Sequence, residues 1–216
     1  MASKRYPSIS KKATWLKGVS YLEKKDRVLR RLIAKTGRLD VLSESKKYLE
    51  EDHYASLVKS IIYQQISTSA GRSIIRRLTE EFGGRLPAPA EFLRANPNKV
   101  KKSGVSPQKY SYLKDLCQRI MDGRLELKRF ARMDDEDIIN ELDLVRGIGR
   151  WTAEMYLIGT LRRTDVLPAD DLGLKKAVQK AYSLDSLPDK KKLLAIAEKW
   201  RPYRTIATIY MWRSLD

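Results

Sequence analysis

With 216 residues the chain is long enough to bury a real core, as one large domain or as two small lobes. Lys and Arg total 44 against 27 Asp and Glu, a formal charge of +17, so the expected partner is a polyanion: nucleic acid first, an anionic membrane surface second. One cysteine, Cys117, and one histidine, His53, exclude an internal disulfide, a cysteine-ligated iron–sulfur cluster or zinc site, and a multi-histidine metal centre.

Met1 to Lys12 is basic and polar with no apolar segment, unlike a secretory signal. No run approaches the ~18–20 apolar residues of a membrane span. Residues 1–50 are expected to form a helical segment that packs on a core of residues 51–216, itself a single structural unit. From Tyr54 to Ile66, Leu57, Val58, Ile61, Ile62 and Ile66 fall on one helical face. His53, just before it, is most simply a surface or capping residue. A second stripe, Ala70, Ile74, Ile75, Leu78 and Phe82, stops at Gly83-Gly84. The three prolines between Gly84 and Lys102 predict mostly connecting loop, with room for one short helix. Ser106-Pro107 is a capping pair that opens a helix with Leu113, Cys117, Ile120 and Met121 on one face. Asp135 to Val145 buries Ile138, Ile139, Leu142 and Val145. Helices are also predicted from Asp171 to Tyr182, Asp189 to Trp200 and Tyr203 to Trp212. No strand alternation, internal repeat or linker stands out, and the fold class is all-α.

Leu144-Val-Arg-Gly-Ile-Gly-Arg-Trp-Thr-Ala153 carries the most chemistry. Two glycines bracket Ile148 between two helices, within a hairpin of about residues 135–161. Gly147 and Gly149 can adopt backbone angles closed to other residues and admit a phosphate close to the main chain. The departing helix presents its N–H groups and its positive dipole end there, and Arg146 and Arg150 add charge. Ile148 is expected to turn inward as an anchor. A lone G-x-G also fits a plain helical turn; the flanking periodic helices and the +17 charge favour the phosphate site.

These residues resemble the helix-hairpin-helix DNA glycosylases, and within them the alkylpurine branch of 3-methyladenine DNA glycosylase II type. The resemblance rests on Gly147 to Ala153, on Leu167-Pro-Ala-Asp-Asp171, on Arg201-Pro-Tyr-Arg204 before a final helix, and on Gln64-Gln-Ile-Ser67 upstream. It runs from about Tyr54 to Trp212; Arg146 stands where many members have proline. It implies two helical lobes flanking a DNA-binding cleft, and DNA contacts from Arg146, Gly147, Ile148, Gly149, Arg150 and Thr152. It also implies a structural Na+ or K+ on the backbone carbonyls of Asp143, Val145 and Ile148, and otherwise no cofactor.

The resemblance places the catalytic carboxylate at Asp171 and leaves Asp170 as the helix cap. Hydrolysis of an N-glycosidic bond builds positive charge on the sugar, which a carboxylate stabilises while it orients or deprotonates water. Alkylated purines such as 3-methyladenine and 7-methylguanine are already cationic and leave without a strong general acid. Members that also nick the strand carry lysine at the position of Trp151, because a Schiff base needs an amine. Trp151 therefore implies a monofunctional enzyme. Lys175 and Lys176 read as phosphate or solvent contacts.

A base in a duplex must be flipped out to be reached. A cationic purine is held well against an aromatic face, for which Trp212, Trp151 and Tyr203 are candidates. All three also fit a core role, which is the simpler reading for Tyr203. Gln65 sits at the family's position for the intercalating wedge, with Gln64 as the alternative or as a support; both also fit plain solvent-facing glutamines. The expected partner is double-stranded DNA containing alkylated bases, the expected state a monomer without membrane contact. The expected address is intracellular: the nucleus in a eukaryote, the cytoplasm or nucleoid in a prokaryote. Two other readings stay open: a non-catalytic helix-hairpin-helix DNA-binding protein, and a glycosylase for hypoxanthine, ethenoadenine or 1-methylated bases.

Overall fold

A computed structural model describes residues 8, 9, 12–37, 39 and 52–215. In chain order the helices are α1 (Lys12–Lys25), α2 (Arg27–Thr36), α3 (His53–Tyr63), α4 (Thr68–Glu81), α5 (Pro89–Arg94), α6 (Pro97–Lys102), α7 (Pro107–Met121), α8 (Asp135–Asp143), α9 (Arg150–Gly159), α10 (Leu172–Tyr182), α11 (Lys190–Ala197) and α12 (Arg204–Arg213). Short 3-10 turns lie at Leu127–Arg132 and Glu198–Trp200. The only β pairing among the described residues is an isolated bridge between Ser8 and Arg163. The all-α expectation holds. Among the described residues no helix is long and apolar enough to cross a membrane.

The stretch Gly84 to Lys102 differs from expectation: it holds two short helices, α5 and α6. Pro89 and Pro97 each stand in a first turn, where a missing N–H costs nothing, so these prolines open helices. Asn96 caps α6, and Glu91 reaches back to the Ala88 N–H at 2.8 Å.

The chain divides into two compact units, Glu50–Tyr156 and Met1–Leu49 with Leu157–Asp216. In the first, α3 packs on α4 and α7, and α5 packs on α7. Leu57, Ile61, Leu78, Phe92, Leu116, Ile138 and Leu142 are buried. Asp52 caps α3 through the Tyr54 and Ala55 N–H groups, so His53 is not the cap. His53 is instead half-buried and hydrogen-bonded to the Tyr156 hydroxyl. Burial pushes its pKa down, against the opposing charge of Asp52. Cys117 is buried 3.3 Å from the Tyr54 hydroxyl, and burial pushes its thiol up to about 11. It is a protonated core residue.

In the second unit α1, α2, α10 and α12 surround Trp15, Val19, Leu22, Leu29, Leu174, Trp200, Ile206 and Tyr210. Asp26 ties this core together. Its carboxylate is 2% exposed and caps α2 through the Val28 N–H at 2.8 Å. It also accepts from Trp200 Nε1 at 2.9 Å and from the Tyr182 hydroxyl, with Lys199 Nζ at 3.2 Å. Burial alone raises its pKa, and the bonds from Tyr182, Trp200, Val28 and Lys199 outweigh it, so the folded value lies below the ordinary one. A depressed folded pKa contributes stability above the unfolded value and loses it as pH falls through the folded one. The protein is therefore expected to lose stability below about pH 4. Melting curves of Asp26→Asn should show a shallower acid decline than wild type; parallel declines would remove Asp26 from the account.

Candidate active site

The carboxylate lies in the unit that contains α10 and α12. Asp171 is the residue before α10, with extended backbone, and its Oδ1 accepts the Leu174 N–H at 2.6 Å. The same oxygen accepts Trp212 Nε1 at 2.9 Å, from the far end of α12. One side chain thus caps a helix and is gripped by an indole. The helix dipole at this end favours a negative charge. Gly173 eases the meeting: a Cβ there would crowd Asp171 Oδ1 at 3.1 Å and touch the Trp212 ring at 3.6 Å.

Asp170 is not the cap that the sequence suggests. It is exposed and ion-paired with Lys190 at 2.9 Å, and Asp171 does the capping. The reason is the turn at Ala169-Asp170, which leaves Asp171 as the last extended residue before the helix.

The strand of chain leading to Asp171 is pinned to the start of α12 by the Arg-Pro-Tyr-Arg stretch. Asp165 is buried and accepts from Arg201 Nη1 at 2.9 Å and Arg204 Nε at 2.8 Å. Thr205 adds a bond to the Arg163 carbonyl at 2.7 Å and receives the Val166 N–H at 3.0 Å. These bonds fix the loop that ends in Asp171 against the helix that carries Trp212. Tyr203, within the same stretch, is only 6% exposed and packs on Tyr21 and over Gly18. Its ring faces are spent in the core, so it leaves the base-pocket set.

In the other unit, α8 and the start of α9 form the hairpin. Ile148 is 2% exposed, the inward anchor. Gly147 has φ +81°, and a Cβ on it would lie 2.1 Å from the Tyr112 ring, so glycine is required twice over. Gly149 departs from expectation: its φ is ordinary, and a Cβ there would meet no atom within 4 Å. It keeps open space at the helix start. The first bond of α9 runs from the Ala153 N–H to the Gly149 carbonyl at 3.1 Å; the amides ahead of it cannot bond within the helix.

Arg146 is exposed, and its N–H is held by Asp115 Oδ2 at 2.9 Å. Arg150 forks onto Glu136 of α8, with a shortest contact of 2.7 Å, which joins the two arms of the hairpin. Thr152 is 7% exposed, so its side chain is a packing group. Trp151 is 46% exposed on α9 and belongs to a different unit from Trp212.

Gln64 ends α3, and its Nε2 donates to the Gly147 carbonyl at 2.7 Å. Gln65 is exposed at φ +57°, a conformation non-glycine residues seldom adopt. The two glutamines thus have different surroundings: Gln64 braces the hairpin, and Gln65 is exposed.

The proposed cation donors fit in chemistry. Asp143, Val145 and Ile148 offer neutral carbonyl oxygens, the donor class of hard cations. The Val145 carbonyl accepts the Ile148 N–H at 3.0 Å and keeps a second lone pair. No cluster of three or more acidic, His or Cys side chains that could hold a metal exists among the described residues.

Two helices joined at a glycine turn, with an isoleucine anchor inside and an open helix start outside, define a helix-hairpin-helix protein. The chain belongs to the HhH-GPD superfamily of base excision DNA repair proteins, whose pattern matches residues 58–202. DNA-3-methyladenine glycosylase 1 of Schizosaccharomyces pombe is 32% identical over 167 residues, 76% of this chain and 73% of its own length. The YfjP protein of Bacillus subtilis is 32% identical over 174 residues, 78% of this chain and 61% of its own length, so this chain spans under two thirds of that relative. The Schizosaccharomyces pombe 3-methyladenine DNA glycosylase Mag1, solved in complex with abasic DNA, superposes with a TM-score of 0.79 at 29% identity, covering 92% of this chain and 96% of that one.

Sequence reasoning passes over Gly173, Lys109, Tyr112 and Asp115. Gly173 leaves a signal, since glycine inside a helix costs about 1 kcal/mol relative to alanine and calls for a packing reason. The other three leave none locally.

Proposed function

We propose that this protein is a monofunctional DNA glycosylase that flips alkylated purines of the 3-methyladenine and 7-methylguanine class out of double-stranded DNA and hydrolyses their N-glycosidic bond. The observation that carries this is the Asp171 carboxylate, held at a helix N-terminus by the Leu174 N–H and Trp212 Nε1. A negative charge immobilised in this way needs no reorganisation when cationic character develops at the sugar. As the C1′–N bond breaks, the cationic purine departs as a neutral base. Asp171 stabilises the sugar cation and takes the proton of the water that adds to C1′. Trp212 acts through its indole N–H on Asp171 and offers a ring face to the flipped base. Trp151, on the hairpin helix, presents an exposed ring of its own.

The hairpin supplies the grip on the backbone. The opening at Gly149 and the first amides of α9 form the phosphate seat, with Arg146 nearby, while Arg150 serves mainly to lock α8 to α9. The carbonyls of Asp143, Val145 and Ile148 would hold a monovalent cation. That ion would add positive charge near the phosphate and take no part in bond cleavage. Gln65 serves as the wedge, supported by its exposure and its left-handed backbone.

The product is expected to be an unbroken strand bearing an abasic site, because Trp151 has no amine to form a Schiff base. Gel analysis of a methylated duplex should show breaks only after hot alkali. Breaks without alkali, with a borohydride-trapped adduct, would contradict the monofunctional assignment.

A further inference from the structure

We infer that Lys109 is a positioning residue that sets the wedge turn against the phosphate-binding hairpin, an inference resting on the glycosylase reading above. Lys109, Tyr112 and Asp115 are spaced three apart on α7 and share one face. Each holds a different piece of the same apparatus. Lys109 Nζ donates to the Ile62 carbonyl at 2.7 Å and to the Gln64 carbonyl at 2.8 Å. Tyr112 lies under Gly147, where no side chain fits. Asp115 Oδ2 receives the Arg146 N–H at 2.9 Å and is itself braced by Arg119 at 2.8 Å. The Gln64 side chain closes the circuit by donating to the Gly147 carbonyl.

The consequence is geometric. The backbone of Gln64 is held from one side by an ammonium and its side chain from the other by the hairpin. Gln65, the next residue, makes its left-handed turn directly after this doubly held residue. A wedge works only at a set distance from the gripped phosphate. A displacement of about 1 Å can cost on the order of a hundredfold in rate. A lysine that bonded only to Ile62 would be an ordinary helix C-terminal partner. The second bond, to Gln64, carries the coupling to the hairpin.

The test compares Lys109→Met and Lys109→Arg with wild type. Three quantities are measured: affinity for undamaged duplex, preference for abasic-site over undamaged duplex, and single-turnover excision of 7-methylguanine. Methionine keeps the stem and removes both charge-assisted bonds; arginine can remake them. Lys109→Met should bind undamaged duplex as wild type does, yet lose about tenfold in abasic preference and in excision rate. Lys109→Arg should recover most of both. Wild-type preference and rate in Lys109→Met would overturn the inference. So would an equal fall in melting temperature and in all three quantities that arginine fails to restore, since that marks a residue of the fold alone. If Lys109→Met does not fold, Gln64→Met cuts the strap to Gly147 and must itself lower abasic preference and excision rate by about tenfold. Failure of wild type to release any methylated base would instead defeat the glycosylase reading itself.

Discussion

Asp171→Asn should slow excision of 7-methylguanine by roughly a hundred- to a thousandfold, about 2.7–4 kcal/mol of barrier, while leaving the fold and DNA binding intact. Asparagine keeps an oxygen in the place of Oδ1. That oxygen can still accept from the Leu174 N–H and from Trp212 Nε1, so the helix cap survives. Only the charge is lost, and in the proposed mechanism the charge is what faces the developing sugar cation. Affinity for DNA should hold or rise, because a negative group is removed from a surface that meets a polyanion. Asp170→Asn is the control. It breaks an exposed ion pair with Lys190, worth about 0–1 kcal/mol, and touches no cap. Its excision rate should match wild type. A dead Asp170→Asn beside an active Asp171→Asn would reverse the assignment of the two aspartates.

Gly147→Val should cost most of the affinity for abasic-site DNA. Valine at φ +81° carries a backbone penalty of about 1–3 kcal/mol. Its Cβ would also stand 2.1 Å from the Tyr112 ring, and overpacking of this kind adds about 1–3 kcal/mol. A turn that shifts to relieve this also disturbs the Gly147 carbonyl that Gln64 holds. Gly149→Ala makes a sharp contrast, since its Cβ would meet nothing within the protein. Its melting temperature should stay near wild type while its affinity drops, because the added methyl would enter the proposed phosphate seat. For each phosphate that a variant no longer neutralises, the slope of log affinity against log salt should flatten by roughly 0.9. Binding measured by anisotropy across a salt series, beside thermal melts, separates the two variants. A folded Gly147→Val with wild-type affinity and slope would show that the hairpin does not grip DNA.

Much of the scaffold is legible in the sequence. The stripe Leu57, Val58, Ile61, Ile62 marks α3, and Ser106-Pro107 marks the start of α7, because helical period and capping chemistry are local. Pro89 and Pro97 mislead, since a proline breaks a helix in its middle and opens one in its first turn. At Asp170-Asp171 both residues have the chemistry of a cap; which of them caps is decided by the turn before α10 and by Trp212, forty-one positions away. Tyr203 could be pocket or core by composition alone, and the missing Cβ of Gly18 settles it. Gly149 has the look of a conformational glycine and proves to be one that keeps space open. The clamp of Lys109, Tyr112 and Asp115 joins α7 to segments far off in sequence, and no spacing rule announces such a meeting.

The most direct test of the central claim is to identify what the wild-type protein releases from methylated double-stranded DNA. Free 3-methyladenine and 7-methylguanine, separated by chromatography and matched by mass, should accumulate with time. Their release should fall by roughly a hundred- to a thousandfold with Asp171→Asn at equal DNA occupancy. Tight binding of the same DNA with no free base from wild type would contradict the account and leave a non-catalytic helix-hairpin-helix DNA-binding protein in its place.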